Sequence, residues 1–270
     1  MAVPHDLQSL RHRIRALTAI GDNPEATVTF GDETIDAALP DHGLTLGTLH
    51  ELIPATPGDF VATLGFGFGL LTRLLRMRPG PVLWAAPSRE TFRCGIAYPI
   101  GLAAFGFDPR RLHYLAVDDT RDVLWAMEEA LASTALAAVI GILPARGDKS
   151  YGFTESRRLS LRAATSGVTA FLVRQTDDAG KPTAAVMRWS IAAHASTPVW
   201  RKGLSMPGLG PPCWRVNLVR SKRGRPRSWL VEWDHETLSF RLASALADRA
   251  PAVAQAATAI PIAGQRRKAS

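Results

Sequence analysis

A chain of 270 residues, 46% of them hydrophobic, is long enough to bury one large core. Its two cysteines, Cys94 and Cys213, lack the spacing of a zinc site or a disulfide framework, which argues against both and fits a reducing cytoplasm. A formal net charge of +8 points to an acidic partner, nucleic acid first; no apolar run of about 18 residues suggests a membrane span, and no secretory leader is expected.

Residues 5–19 place Leu7, Leu10, Ile14 and Leu17 on one helical face, with Arg11, Arg13 and Arg15 elsewhere. Such a helix either packs on its own domain or docks on a partner protein, and its four apolar residues are candidate partner contacts. Residues 21–43 are acidic, turn-rich and weakly periodic, and read as a linker. The chain thus divides into an N-terminal helix and linker (1–45), a core (46–245) and a flexible tail (246–270) that ends near Arg266, Arg267 and Lys268.

The core opens with a buried strand over Leu46–Ile53, a tight turn over 54–58, and a helix beginning at Asp59. Val61, Leu64, Phe68, Leu71 and Leu75 recur on one face of that helix. Strand, short turn and helix make the frame of a phosphate-binding loop, which requires GxxxxGK[ST]. Here Asp59 and Phe60 stand where Gly and Lys are needed. A carboxylate repels phosphate and a phenyl ring offers no donor. Gly65, Gly67 and Gly69 fall inside the helix rather than before it, so close packing on a sheet explains them better than a dinucleotide site.

Strands follow at Val82–Ala86, Leu112–Val117, Ala137–Leu143 and Thr169–Val173, separated by helices at Tyr98–Phe105, Arg121–Ser133 and Glu155–Thr165. Asp118 and Asp119 read as a cap for the second of these helices. The alternation predicts an α/β fold with a mostly parallel central sheet and helices on both faces. Strands at Ala184–Ala193, Arg215–Arg220, Ser228–Trp233 and Leu238–Leu242, joined by Gly/Pro-rich turns, predict an antiparallel C-terminal extension.

Hydrolysis of a nucleotide needs an acid at the end of the central strand, but Pro144 follows AAVIGIL and the next acid is Asp148. After VLWAA the nearest carboxylate is Glu90. Three requirements fail together, so no catalytic residue, cofactor or metal is expected. His113 and His194 lack companions, and Ser88, Ser160 and Ser190 lack a nucleophile elbow. The densest positive run is Arg220, Lys222, Arg223, Arg225 and Arg227, placed in a turn by Gly224 and Pro226. These five are candidate DNA-phosphate contacts, flanked by Trp214 and Trp229 as candidate stacking groups. The competing reading is a solvated hairpin with its tryptophans in the core. Arg157, Arg158, Arg201 and Lys202 are candidates for the same field.

The order of elements from Leu49 to about Leu242 resembles the RecA-like core, through LHELIPATPGDFVATL, LHYLAVDDTRDVLWAMEEALA before AAVIGIL, and RLSLRAATSGVTAFLVR. With PVLWAAPS and GFDPRRL, the chain is similar to the ImuA family. That resemblance implies a RecA-like accessory factor of SOS mutagenesis, acting with an ImuB-like polymerase paralogue and an error-prone polymerase in translesion synthesis; RecA and DNA are further candidate partners. No RecA catalytic residue carries over, because Asp59, Phe60, Pro87, Gly141, Ile142 and Leu143 occupy the matching positions. The expectation is a non-catalytic cytoplasmic adaptor. The alternatives are a cell-division inhibitor resembling SulA and an ATPase with rearranged ligands.

Overall fold

A computed structural model describes residues 26–89, 95, 97–144, 150–175, 180–200 and 206–243. The strands are β1 (Thr27–Val28), β2 (Leu44–Thr45), β3 (Leu49–Pro54), β4 (Val82–Pro87), β5 (Leu112–Val117), β6 (Ala138–Leu143), β7 (Thr169–Arg174), β8 (Met187–His194), β9 (Cys213–Ser221), β10 (Arg227–Asp234) and β11 (Ser239–Leu242). The α-helices are α1 (Glu33–Ala38), α2 (Phe60–Met77), α3 (Pro99–Ala104), α4 (Thr120–Ala130) and α5 (Phe153–Ser166).

Strands β3, β6 and β7 are buried at every position, which demands cover on both faces. They lie inside a nine-stranded sheet of order β11-β10-β9-β8-β3-β7-β6-β4-β5. From β8 to β5 neighbours pair in parallel, and from β8 to β11 they pair antiparallel. The sheet is therefore mixed, where the sequence pattern predicts a mostly parallel one. Helices α2 and α3 contribute Phe66, Phe68, Leu71 and Leu102 to one core. Helices α4 and α5 contribute Val123, Met127, Leu159 and Ala163 to the other. Asp119 caps α4 by accepting from Arg121 N (2.7 Å) and Asp122 N (3.1 Å).

The segment Pro57–Met77, which includes α2, is long and apolar enough by composition to cross a membrane, yet Phe60, Phe66, Phe68, Leu70, Leu71 and Leu74 are buried in the core, while Val61, expected on the same face, and Met77 are exposed. Its glycines make a close approach to the sheet possible. A Cβ on Gly69 would lie 2.6 Å from Phe240 Cζ and 3.2 Å from Trp233, and one on Gly67 would lie 3.1 Å from Leu52.

Residues 26–45, expected as a linker, are instead part of the core. Val28, Phe30, Ile35, Leu39 and Leu44 are buried against it. Phe30 O accepts from Phe240 N (2.9 Å), and Asp32 accepts from Leu242 N (3.0 Å) while capping α1. Arg73 of α2 donates to Thr29 O (2.8 Å) and Leu238 O (3.3 Å). The segment thereby covers β11, the last strand of the sheet, whose unpaired backbone would otherwise be exposed.

His50 is fully buried on β3, stacked on Phe171. Its Nε2 lies 2.8 Å from Thr45 O; a carbonyl only accepts, so Nε2 carries the proton. Burial pushes its pKa down to about 4, against a smaller opposing effect of that hydrogen bond.

Two outcomes are expected. Gly69→Ala adds helix propensity of roughly 1 kcal/mol but overpacks the Phe240 contact at about 1–3 kcal/mol; denaturant unfolding should show net destabilisation. For His50, the unfolded ring binds protons below pH 6.5 whereas the folded ring stays neutral to about pH 4. Its contribution, up to about 3 kcal/mol, is complete above pH 6.5 and is lost as pH falls toward 4. A His50→Gln variant should flatten the stability profile across that window.

Candidate nucleic-acid interface

The turn from β3 to α2 holds the position of a phosphate loop, and the chain fills it with its own carboxylate. Thr56 N (3.0 Å) and Thr56 Oγ1 (2.8 Å) both donate to Asp59 Oδ2. Ala193 N at the end of β8 donates to Asp59 Oδ1 (2.8 Å). Burial alone would raise the Asp59 pKa, but the bonds from Ala193 and Thr56 outweigh it and hold the carboxyl below the usual carboxylate range. Phe60 turns into the core.

Near the end of β6, Ile142 and Leu143 are buried, and Gly141 lies under α4, where an added Cβ would collide with Met127 Sδ. Ser88 Oγ donates to Val117 O (3.1 Å). Cys213 lies 3.9 Å from His194 Nδ1, but burial, with Glu232 nearby, raises its thiol pKa and disfavours a nucleophilic thiolate. Among the described residues no group of three His, Cys, Asp or Glu side chains is placed to hold a metal. Glu90 and Asp148 lie outside the described residues.

The basic run forms the β9–β10 turn. Arg220, Lys222, Arg223, Arg225 and Arg227 are all exposed. Lys222 N donates to Val186 O (3.0 Å), and Gly224 N to Ser221 Oγ (3.0 Å). Arg223 Nη1 pairs with Asp41 at 3.2 Å. Gly224 lets the turn approach Pro40, whose Cγ would be 2.9 Å from an added Cβ. Because β9 runs antiparallel to β8, the turn lies beside Met187, where β8 begins. Asp59 binds at the other end of β8, about 20 Å away along the strand. The hairpin and the filled loop are therefore separate features at opposite ends of the sheet.

Trp214 is not available for base stacking. It is buried edge-on to Phe66, 6.0 Å between centroids, because its β9 face packs under α2. Trp229 is half-buried and rests on Trp189 at 6.3 Å. Arg158 lies on α5, paired with Glu128 of α4. There it lines a groove of about 470 Å³ with Arg121 and Trp125 instead of joining the hairpin. Arg201, Lys202, and the apolar face of Leu7, Leu10, Ile14 and Leu17 lie outside the described residues.

Two features escaped the sequence reading. Arg215 is exposed on β9, on the face opposite Trp214. Glu51, Arg174 and Arg188 are buried together, and their signal was a charge set inside each of three apolar strands.

Asp59→Ala leaves the Thr56 and Ala193 donors unmatched and should cost about 1 kcal/mol, the scale of a lost cap. A depressed carboxyl stabilises above its unfolded pKa and ceases to do so as pH falls through the folded one. Unfolding curves of variant and wild type should therefore differ at neutral pH and converge below the usual carboxylate range.

No family model matches the chain. Protein ImuA of Caulobacter vibrioides strain NA1000 is 32% identical over 247 residues, covering 86% of this chain and 95% of that protein. Protein ImuA from a second strain of the same species matches to the same extent. Identity at that level, sustained across nearly the full length of the relative, shows that this chain belongs to the ImuA family.

Proposed function

We propose that this protein is a non-catalytic, RecA-like adaptor in damage-inducible mutagenesis. It supports error-prone translesion synthesis by contacting an ImuB-like polymerase paralogue and an error-prone polymerase, and it touches DNA through the β9–β10 hairpin. The observation that carries the reading is Asp59. A nucleotide hydrolase aims free backbone donors at phosphate, whereas here Thr56 and Ala193 are engaged by an internal carboxylate. A polyphosphate would have to break those bonds and then face like charge.

The RecA-like part rests on topology. The central β3 feeds a turn and a long helix, the chain fills β4 to β7 on one side, and it then crosses β3 to reach β8. With the phosphate position of the β3–α2 turn filled by Asp59, binding moves to surfaces. The exposed basic turn suits a phosphate backbone, and the face of Leu7, Leu10, Ile14 and Leu17 suits a protein partner.

Calorimetry with ATP and Mg²⁺ should give no binding heat; micromolar binding would overturn the non-catalytic reading. Changing Lys222, Arg223, Arg225 and Arg227 together to Glu should abolish salt-sensitive binding of single-stranded DNA. The wild-type salt slope should be about 0.7 per neutralised phosphate. Wild type that fails to bind DNA even at low salt removes DNA from the proposal and leaves the hairpin a structural turn or a protein contact.

A further inference from the structure

From Trp214 to Leu218 strand β9 alternates between buried and more exposed residues. Trp214, Val216 and Leu218 enter the core beneath α2, so Arg215 and Asn217 project from the opposite face. Continued alternation would turn Arg220 inward, where a guanidinium has no place among Trp189 and Met187. The register instead shifts between Arg188 and Trp189: Trp189 faces Leu218, but Arg188 faces Arg220. Val219 is the extra residue of this bulge and is partly exposed. One inserted residue re-aims the strand, and Arg220 joins Arg215 and Asn217 on the same face.

Among the described residues that face is closed at its two ends, where Arg188 is buried under the chain that crosses β3 and Cys213 is buried, and is more open between them. Helices α4 and α5 pack on β3, β4, β6 and β7, leaving no helix over β8–β11. The register lines Ser190, Asn217 and Ser228 in one row, and Ala192, Arg215 and Leu230 in the next. The rows are mostly small or polar, so the surface is low. Three strands make it about 10 Å wide. Arg215 and Arg220 face Ala192 and Arg188, four residues apart on β8, and so lie about 13 Å apart; neither pairs with an acidic side chain of the described residues. At the far edge Glu232 is already neutralised by Arg241 at 2.7 Å. An apolar face would call for a protein core to cover it; a flat polar floor with two arginines complements a sugar-phosphate chain.

We propose that single-stranded DNA held at the basic hairpin continues across the open face of β8, β9 and β10, with Arg220 and Arg215 gripping phosphates over the floor of Ser190, Asn217 and Ser228. The inference rests on the DNA part of the proposed function and extends it from a turn to a track.

The test uses full-length protein and a fluorescent single-stranded oligothymidylate, with the hairpin left intact. Arg215→Glu should weaken binding about tenfold at low salt and reduce the salt slope by about 0.7, while Arg215→Lys stays near wild type. Arg215 is exposed, so thermal unfolding should not change. Photo-crosslinking from benzoylphenylalanine at Ser228 should label the DNA. If wild type binds and hairpin reversal abolishes binding, yet Arg215→Glu is silent and Ser228 gives no DNA crosslink, the DNA ends at the hairpin; the track is overturned and the broader reading stands. Ser228 crosslinking only to a polymerase partner would make the face a protein interface and also overturn the track. Wild type that binds no DNA overturns the track together with the DNA part of the proposed function.

Discussion

A carboxylate buried in the middle of an apolar strand is the constraint on which the arrangement of this sheet depends. Strands β7 and β8 both run parallel to β3, one on each side. The chain must therefore leave the end of β7, pass over β3, and begin β8 at the opposite end. It makes this crossing without a helix among the described residues. Glu51 of β3 lies under the crossing and accepts from the Thr183 hydroxyl, the Tyr151 hydroxyl and Arg188 Nε at 2.6 Å. Arg188 Nη1 in turn donates to Lys181 O at 2.9 Å, and Arg174 approaches Glu51 at 3.9 Å while lying over the Tyr151 ring. Burial first, and then the Glu51 charge, push the Tyr151 phenol well above its ordinary pKa, so it remains a donor. An isolated buried charge costs several kcal/mol, and loss of one partner from such a set about 3–5 kcal/mol. The set therefore specifies where the crossover lies. Once β8 is fixed beside β3, the antiparallel β9 and β10 must turn at the start of β8, and the basic hairpin comes to that end of the molecule.

The opposite end is closed by different means. Asp59 joins the β3–α2 turn to the end of β8, and the glycines of α2 bring the helix close enough for Phe240 and Trp233 to fill the space under it. Phe30, Phe66, Trp189, Trp214 and Phe240 then form a continuous aromatic cluster. Such pairs add roughly 0.5–1.5 kcal/mol each beyond their burial. A loop that must open for a nucleotide could not be tied in this way without opposing its own ligand. The turn's donors and the helix's glycines are committed to rigidity.

What the sequence made legible follows from the range of each signal. Periodicity located the strands and main helices because apolar alternation is local, and Asp119 announced its helix because a cap reads within three residues. The segment 26–45 was misread because its anchors are distant: Asp32 meets Leu242, and Phe30 meets Phe240. Such bonds leave no period, while the acids that make them give the composition of a linker. Glu51, Arg174 and Arg188 were each visible as a charge within an apolar strand, but only the pairing of β3, β7 and β8 brings them together. The tryptophans beside the basic turn were ambiguous because the sequence could not say which β9 face met α2. The bulge at Val219 was invisible, since a single extra residue resembles ordinary strand continuation.

Open α/β sheets hold ligands at the carboxyl ends of their parallel strands, where helix N-termini and turn donors converge. In this protein the β3–α2 turn at that end, the place a phosphate would take, is filled by a carboxylate that the local backbone itself stabilises. Positive charge gathers instead at the strands' beginnings and along the open face of the antiparallel extension, where Arg215 and Arg220 have no acidic partner among the described residues. Charge held outside the core contributes little to stability, and five exposed cations within one turn repel each other. Their clustering is a cost to the isolated chain that an anion relieves. On the adaptor role proposed above, partners would meet this surface charge and not a ligand held in the crevice. The carboxylate that fills the turn at one end of β8 and the cations exposed at the other thus divide the sheet into a self-satisfied end and a charged one.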